Sequence, residues 1–135
     1  DDCVNDMKKE ARLEKLLSKV LMNRRHTCGS GGSLSVWITT QVYNKVPMPV
    51  RKCASHLILY ETKNRKELDS MYDEIIVGLT KPEWYQLLKY VWSKKFNFLY
   101  MDTGNTFNKM YHKNFNQLEL ETKMDEMTDL IADEK

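Results

Sequence analysis

The chain has 135 residues and a net charge of +2, and 41% of its residues are hydrophobic and 30% charged. This length and composition are typical of one soluble domain, or of part of a larger one. We expect neither a transmembrane helix, because no apolar run reaches about 18 residues, nor a signal peptide, because residues 1–12 have no apolar core.

The cysteines give no sign of a disulfide framework or of a metal site. Cys3, Cys28 and Cys53 are odd in number and have no paired spacing. This pattern favours reduced thiols in an intracellular protein. His26 lies close to Cys28, but no second pair of ligands completes a zinc site.

The charge is distributed unevenly along the chain. Residues 1–65 contain 12 Lys and Arg against 6 Asp and Glu, whereas residues 66–135 contain 9 against 13. A basic first half can face a polyanion such as a nucleic acid, and it can equally be an ordinary solvated surface.

The first predicted element is an amphipathic helix over residues 6–25. Its apolar residues recur at the spacing of one helical face: Leu13, Leu16, Leu17, Val20 and Leu21. Lysines, arginines and glutamates occupy the rest of the helix. We interpret it as a helix that packs on a sheet.

Two apolar strands are predicted next, at residues 34–41 and 54–61. The stretch CGSGGS before them, residues 28–33, predicts a flexible loop that is either natural or an engineered linker. Both strands are almost continuously apolar, which is typical of strands covered by helices on both faces. We therefore predict that His56, inside the second strand, is a core histidine.

Two further helices and one strand follow. The first helix is predicted over residues 64–79 and ended by Gly78, and the second starts with the capping box Thr80–Glu83. Its buried stripe contains five residues: Trp84, Leu87, Leu88, Val91 and Trp92. A short strand at 97–102, an irregular segment at 103–117 and a helix from Glu119 complete the chain.

This order of elements predicts an α/β fold with a mostly parallel sheet and flanking helices. In such sheets ligands bind beyond the carboxyl ends of the strands. Gln41 would lie there, and so would Asp1 and Asp2 if an apolar strand preceded them. An acid pair in that place can associate with Mg²⁺ and orient an attacking water. The plainer alternatives, a solvated helix cap for the acids and a polar turn for Gln41, stay open.

Four stretches, taken in order, resemble a known family. They are DD at 1–2, NRRH at 23–26, LSVWITTQ at 34–41 and VPMPVRKCASHLILYE at 46–61. Together they resemble the second half of the poxvirus-type genome-packaging ATPases of large DNA viruses, in the FtsK/HerA group of P-loop DNA pumps. MYHKNF at 110–115 is similar to the closing segment of that family. The resemblance implies that residues 1–115 are the C-terminal part of a P-loop, RecA/ASCE-like NTPase domain, and that 116–135 are an acidic C-terminal helix or tail.

The resemblance also implies a role for each matching residue. Asp1 corresponds to the acid that binds Mg²⁺ through water, and Asp2 to the catalytic base. Gln41 corresponds to the polar sensor. Arg25, with His26, corresponds to the basic pair that precedes the sensor strand.

Two further basic positions are candidates on the same grounds. Arg24 or Arg25 would be an arginine finger that reaches the γ-phosphate of a neighbouring subunit, although basic residues at a helix end also complement the helix dipole. Arg51 would contact phosphate or stabilise the sensor loop, and the alternative is an exposed loop residue.

The implied function is an ATPase that uses ATP and Mg²⁺, assembles as a homo-oligomeric ring and threads viral double-stranded DNA into a capsid. The expected partners are DNA, further copies of the chain, and capsid or portal vertex proteins, and the expected location is the virus factory in the host cytoplasm and the virion. The chain contains no G-x-x-x-x-G-K-[ST] loop, so we expect it to be inactive in isolation.

Two alternatives remain. One is a non-catalytic α/β module that binds nucleic acid or another protein, using the basic first half. The other is a related pump that moves plasmid or chromosomal DNA.

Overall fold

The computed structural model describes residues 11–24, 26, 29, 32 and 34–120. They belong to two compact units, of which the first ends at Ala54 and the second begins at Ser55. Three predicted site residues, Asp1, Asp2 and Arg25, lie outside the described residues, and so do residues 121–135 of the acidic tail predicted at 116–135.

In its described residues, the first unit contains two helices and a small apolar cluster. Helix α1 is Ala11–Met22, a single 3₁₀ turn is Tyr43–Lys45, and helix α2 is Met48–Lys52. The cluster is formed by three buried residues, with two partly buried ones packed against it: Leu21, Val46 and Val50, with Leu17 and Cys53. The predicted first helix is therefore confirmed over Ala11–Met22, but its apolar stripe is only partly covered, since Leu16 is 52% exposed.

The predicted strand at 34–41 is wrong. Residues 34–40 have no regular secondary structure, Gln41 lies in a bend, and Trp37 is 86% exposed. The physical reason is that a strand needs a partner for its backbone N–H and C=O groups, and β-branched composition alone does not supply one. Within the described residues, this segment makes one backbone hydrogen bond beyond its own turn, from the N–H of Leu34 to the carbonyl oxygen of Arg24.

The second unit is built around a four-stranded sheet. Its strands are β1, His56–Tyr60; β2, Phe98–Asp102; β3, Tyr111–Lys113; and β4, Asn116–Gln117. Their order is β1-β2-β3-β4, and every neighbouring pair is antiparallel. This corrects the predicted fold class: the described sheet is antiparallel with helices, and it is not the mostly parallel sheet of a P-loop domain.

The correction has two physical causes. A hydrophobic run locates a strand but carries no information on its direction, so the apolar runs at β1 and β2 were compatible with either arrangement. Residues 103–117, predicted to be irregular, contain β3 and β4, which are joined by a tight turn with Asn114 at φ 56°. Such short connections join antiparallel strands only.

The helices of the second unit are α3, Arg65–Ile75; α4, Lys81–Val91; and α5, Phe107–Met110. The predicted capping box is confirmed, because a Glu83 carboxylate oxygen accepts hydrogen bonds of 2.7 Å from both the backbone N–H and the hydroxyl of Thr80. Lys81 binds Asp69 at 2.8 Å, and this contact lowers the pKa of Asp69 and raises that of Lys81. The two helices are thus linked at their exposed sides as well as through the core.

The core of the second unit lies on one face of the sheet. Its most completely buried side chains are Trp84, Tyr111, Leu88, Leu99, Met101 and Val91. Leu99 and Met101 alternate along β2 with the half-buried Phe98, Tyr100 and Asp102. This period of two assigns aliphatic residues to the core and aromatic residues to the opposite face.

Candidate functional site

Gln41 lies in a bend that is shaped by its neighbours. The Thr40 hydroxyl accepts a hydrogen bond of 3.2 Å from the N–H of Val42 and donates one of 3.1 Å to the carbonyl oxygen of Val42. A threonine that bonds the backbone two residues ahead forms a local turn without help from secondary structure. The Gln41 side chain is exposed in this turn.

Arg51 lies on helix α2, and its side chain is held by residues of the preceding 3₁₀ turn. Its Nη1 donates a hydrogen bond of 3.1 Å to Oδ1 of Asn44, and its guanidinium carbon lies 4.6 Å from the centre of the Tyr43 ring. An arginine stacked on an aromatic ring and bonded to an amide is fixed in one orientation. This geometry corresponds to the loop-stabilising role implied for Arg51. Its contact with phosphate stays a prediction.

Arg24 closes the carboxyl end of α1. Its Nη1 donates a hydrogen bond of 3.2 Å to the carbonyl oxygen of Leu21, one of the last carbonyl groups of the helix. A positive charge there also complements the helix dipole. The structure thus gives Arg24 the simpler of its two predicted roles, and the arginine-finger role of Arg24 or Arg25 stays a prediction.

The predicted site is therefore only partly described. Gln41 lies in a bend of the first unit and Arg51 on helix α2, ten residues later, while Asp1, Asp2 and Arg25 fall outside the described residues. Within the described ranges, no three His, Cys, Asp or Glu side chains are grouped so that they could hold a metal ion.

The second unit presents an aromatic surface that sequence reasoning missed. We call it the outer surface, and it consists of Tyr60, Phe98, Phe115, Tyr100, His112 and His56. Five pairs of its rings have centres 5.0 to 6.0 Å apart, beginning with Tyr60 and Phe98 at 5.4 Å and ending with His56 and Tyr100 at 6.0 Å. These distances are those of stacked and edge-to-face aromatic contacts, so the rings form one continuous cluster.

The outer surface is open to solvent at several points. Tyr60 is 58% exposed, Phe115 is 70% exposed, and Ile58 beside them is 42% exposed. Scattered apolar residues on a surface are ordinary, but a contiguous aromatic patch of this kind often marks a binding surface.

His56 contradicts the prediction of a core histidine. Its side chain is 59% exposed, its Nδ1 lies 3.0 Å from the Tyr100 hydroxyl, and it is 3.7 Å from Oδ1 of Asp102. The reason is positional: His56, Ile58 and Tyr60 share the face of β1 that lies opposite to the core. Because HLILY is apolar at nearly every position, the sequence of β1 does not indicate which face is buried.

A signal for the outer surface existed in β2. Phe98 and Tyr100 are aromatic, whereas the intervening Leu99 and Met101 are flexible aliphatic residues. Such an alternation predicts a strand with two chemically different faces. If β2 is assumed to be buried on one face only, this alternation predicts that its aromatic residues form the exposed face.

The comparisons with known proteins do not extend these observations. No family model matches the chain, and no match is found among curated proteins or solved structures. Of the helices in the described ranges, none combines the length and the apolar character needed to cross a membrane.

Proposed function

We propose that this chain is part of an ATP-hydrolysing motor that packages viral double-stranded DNA. One observation carries the proposal: the ordered series of Asp1-Asp2, Arg25-His26, Gln41 and Arg51, which resembles the series in the packaging ATPases. The proposal rests on this order of residues and on the loop between Gln41 and Arg51. It does not rest on the sheet of the second unit.

The loop geometry supports a sensor role for Gln41. The turn is closed by Thr40, and Arg51 is bound to Asn44 and Tyr43, so these contacts support the segment around the exposed Gln41. An exposed amide on a supported loop can hydrogen-bond a water molecule or a phosphate oxygen. In this proposal Gln41 orients the attacking water and Arg51 is a positioning residue.

The remaining parts must come from outside the described residues. Asp1 and Asp2 would supply the two carboxylates, and a phosphate-binding loop, which this sequence lacks, would have to come from the rest of the motor. The activity is therefore proposed for the full-length protein.

The test is the DNA-stimulated ATPase rate of the full-length protein carrying Gln41→Ala or Arg25→Ala. An arginine finger contributes about 10³–10⁵ to turnover, so Arg25→Ala should nearly abolish the rate. Gln86→Ala and Arg65→Ala, which remove the same side-chain types from exposed positions of the second unit, are the matched controls. Unchanged rates in both test variants would contradict the assigned roles.

A mixing experiment tests whether the finger acts between subunits. Subunits with Arg25→Ala have an intact acid pair, and subunits with Asp2→Asn have an intact finger. If the finger acts in trans, mixed rings should recover part of the activity that each variant lacks alone. If mixed rings recover no ATPase activity, Arg25 and Asp2 act in the active site of the same subunit. Arg24→Ala, measured in parallel, shows which of the two arginines is the finger.

The outer surface favours a second candidate function, the binding of single-stranded nucleic acid. Exposed aromatic rings on a four-stranded antiparallel sheet can stack on unpaired bases, and each stacked base contributes about 1–3 kcal/mol. No lysine or arginine is among the six ring residues of the outer surface, so stacking and not charge would supply most of the affinity.

This candidate is tested by fluorescence anisotropy with unstructured oligonucleotides at low salt. Replacing two exposed rings together, Tyr60→Ala with Phe115→Ala, should weaken binding by about 30-fold or more. Tyr90→Ala is the matched control, because Tyr90 is as exposed as Tyr60 but lies on α4. No binding by the unmodified protein at low salt would exclude this function.

A further inference from the structure

Strand β1 forms one edge of the described sheet. The strand order places β2 beside it, and no other described strand pairs with it. The Thr103 N–H donates to the carbonyl oxygen of Ser55 at 3.0 Å, which defines Ser55 and Thr103 as a hydrogen-bonded pair. Such pairs alternate along an antiparallel ladder. Leu57 and Leu59 therefore direct their backbone groups to β2, and His56, Ile58 and Tyr60 direct theirs to the open edge.

The register on the far side of β2 supports this alternation. The Asn114 N–H donates to the carbonyl oxygen of Phe98 at 2.8 Å, so Phe98 and Tyr100 direct their backbone groups to β3. Leu99 and Met101 must then bond β1, as the first argument requires. Two independent hydrogen bonds thus give the same assignment of the open edge.

The residues of β1 include none of three features with which proteins often protect a sheet edge. His56–Tyr60 contains no proline, no lysine and no positive φ. Natural edge strands are commonly protected by such residues or by bulges. The edge is therefore competent to accept another strand.

The side chains of β1 are arranged symmetrically about Ile58. Leu57 and Leu59 flank it on the core-facing side, and the two ring residues His56 and Tyr60 lie at the ends. A strand of this kind is complementary to itself in the antiparallel direction. In that alignment Leu57 lies opposite Leu59 of a second copy, and His56 lies opposite its Tyr60.

We propose that two copies of this chain pair antiparallel along β1, with the two-fold axis at Ile58. The three residues that face the open edge would make about six backbone hydrogen bonds across the axis. The interface is isologous and closed, because each copy uses the same surface. The sheet then continues from one copy into the other, and the two outer surfaces become one aromatic surface on the same face.

The proposal goes beyond the packaging ATPase and is independent of it. The dimer formed through β1 contains two copies of the chain, whereas the ring expected of a packaging ATPase contains more. Measuring the number of copies therefore distinguishes the two assemblies. It requires neither ATP nor DNA, so it can be measured whether or not the protein hydrolyses ATP.

The first test is disulfide capture in a chain whose Cys3, Cys28 and Cys53 are replaced by Ser. Residues opposite each other in a hydrogen-bonded pair have Cα atoms about 5.5 Å apart, within the range that a disulfide can bridge. Ile58→Cys should therefore give a reducible dimer under mild oxidation.

Two control variants make the test specific for the register. His56→Cys alone should not form a dimer, because the two copies of this residue lie roughly 13 Å apart along the strands. A mixture of His56→Cys with Tyr60→Cys copies should cross-link. Equal cross-linking of Ile58→Cys and His56→Cys alone, or none by Ile58→Cys, would overturn the proposal.

The second test is sedimentation velocity of the unmodified protein over a range of concentrations. We expect the unmodified protein to form a concentration-dependent dimer. Ile58→Lys adds a charge to the edge at a 42% exposed position. We expect this variant to be a monomer with an unchanged circular dichroism spectrum. A monomer at every concentration would overturn the proposal, as would a dimer that persists in Ile58→Lys. A monomer that instead pairs with an unrelated extended peptide would show that the edge binds another partner.

Discussion

The two units of the molecule differ in how completely they bury their apolar residues. In the second unit, Trp84, Val91, Leu99, Met101 and Tyr111 are all 0% exposed. Among the described residues of the first unit, the buried cluster consists of Val50, Val46 and Leu21, which are 3%, 6% and 7% exposed. A sheet brings residues from distant parts of the chain onto one core, whereas the cluster of the first unit is formed by contacts between α1 and the short segment from Val46 to Cys53, which contains α2.

This difference bears on where the proposed functions lie. The residues that resemble an ATPase site belong to the first unit, and the aromatic outer surface belongs to the second. Binding and catalytic residues often lie on loops, while a packed core determines stability. We therefore expect substitutions in the second unit to affect global stability most, and substitutions in the first to act more locally.

The largest expected effect is that of Trp84→Ala. Trp84 is fully buried, and its indole Nε1–H donates a hydrogen bond of 3.3 Å to the carbonyl oxygen of Leu68. Removing it should lower the free energy of unfolding by about 3–5 kcal/mol, measured by urea titration with far-ultraviolet circular dichroism. Trp37→Ala is the matched control in the first unit, because Trp37 is 86% exposed and should change stability by less than about 0.5 kcal/mol. Equal losses in the two variants would contradict the contrast between the units.

A smaller effect is expected for Gly78→Ala. Gly78 has φ +80°, and a Cβ atom there would lie 2.6 Å from Cδ2 of Phe107. Backbone strain and overpacking together should cost about 2–3 kcal/mol. Gly29→Ala in the first unit separates the two causes, since Gly29 has φ +76° but no atom within 4 Å of the added Cβ. A thermal melt should show a clearly larger loss for Gly78→Ala, and similar losses would mean that Phe107 moves aside freely.

Tyr111 should make the stability of the second unit depend on alkaline pH. Burial raises the pKa of Tyr111 to about 12, and its hydroxyl donates to the carbonyl oxygen of Val77 at 3.3 Å. In the unfolded chain this tyrosine ionises near pH 10, whereas in the folded chain it stays protonated up to about pH 12. Between these two pH values the unfolded state therefore binds fewer protons than the folded state. The free energy of unfolding consequently falls as the pH rises from about 10 to 12. The expected loss is on the order of 2–3 kcal/mol.

The measurement is urea titration at several pH values between 8 and 12. Tyr111→Phe should be slightly less stable at pH 8, by about 1 kcal/mol, and should lose less stability at high pH than the unmodified protein. An identical pH profile in the two proteins would show that other groups cause the alkaline loss. Tyr90→Phe, at an exposed position, should leave the profile unchanged.

The smallest expected effect is that of Val50→Ala in the first unit. Removing two buried methyl groups should cost about 1–2 kcal/mol. Hydrogen exchange should show faster exchange in residues 43–53 and unchanged exchange in β2 if the units open separately. Met48→Ala, at a 49% exposed position of the same helix, is the control. Equal acceleration in β2 would show that the two units unfold as one.

Several elements could be predicted because their signals are local. Helix α1 follows from a leucine stripe at helical spacing, and the start of α4 follows from Thr80 and Glu83, whose side chains act within one turn. The positions of β1 and β2 also follow from their apolar runs. The candidate residues Gln41, Arg24 and Arg51 were found by resemblance, and their roles in catalysis stay predictions.

The sequence by itself determined where α1, α3 and α4 lie, how α4 begins and which segments favour extended structure, but it did not indicate the short helices α2 and α5. Only the tertiary structure decided which of these segments become strands, in which direction they run and which face is left open. The residues 34–40 and His56–Tyr60 have similar apolar character, yet only His56–Tyr60 forms a strand. The physical reason is that a strand is completed by hydrogen bonds to a partner elsewhere in the chain, and local composition does not specify that partner.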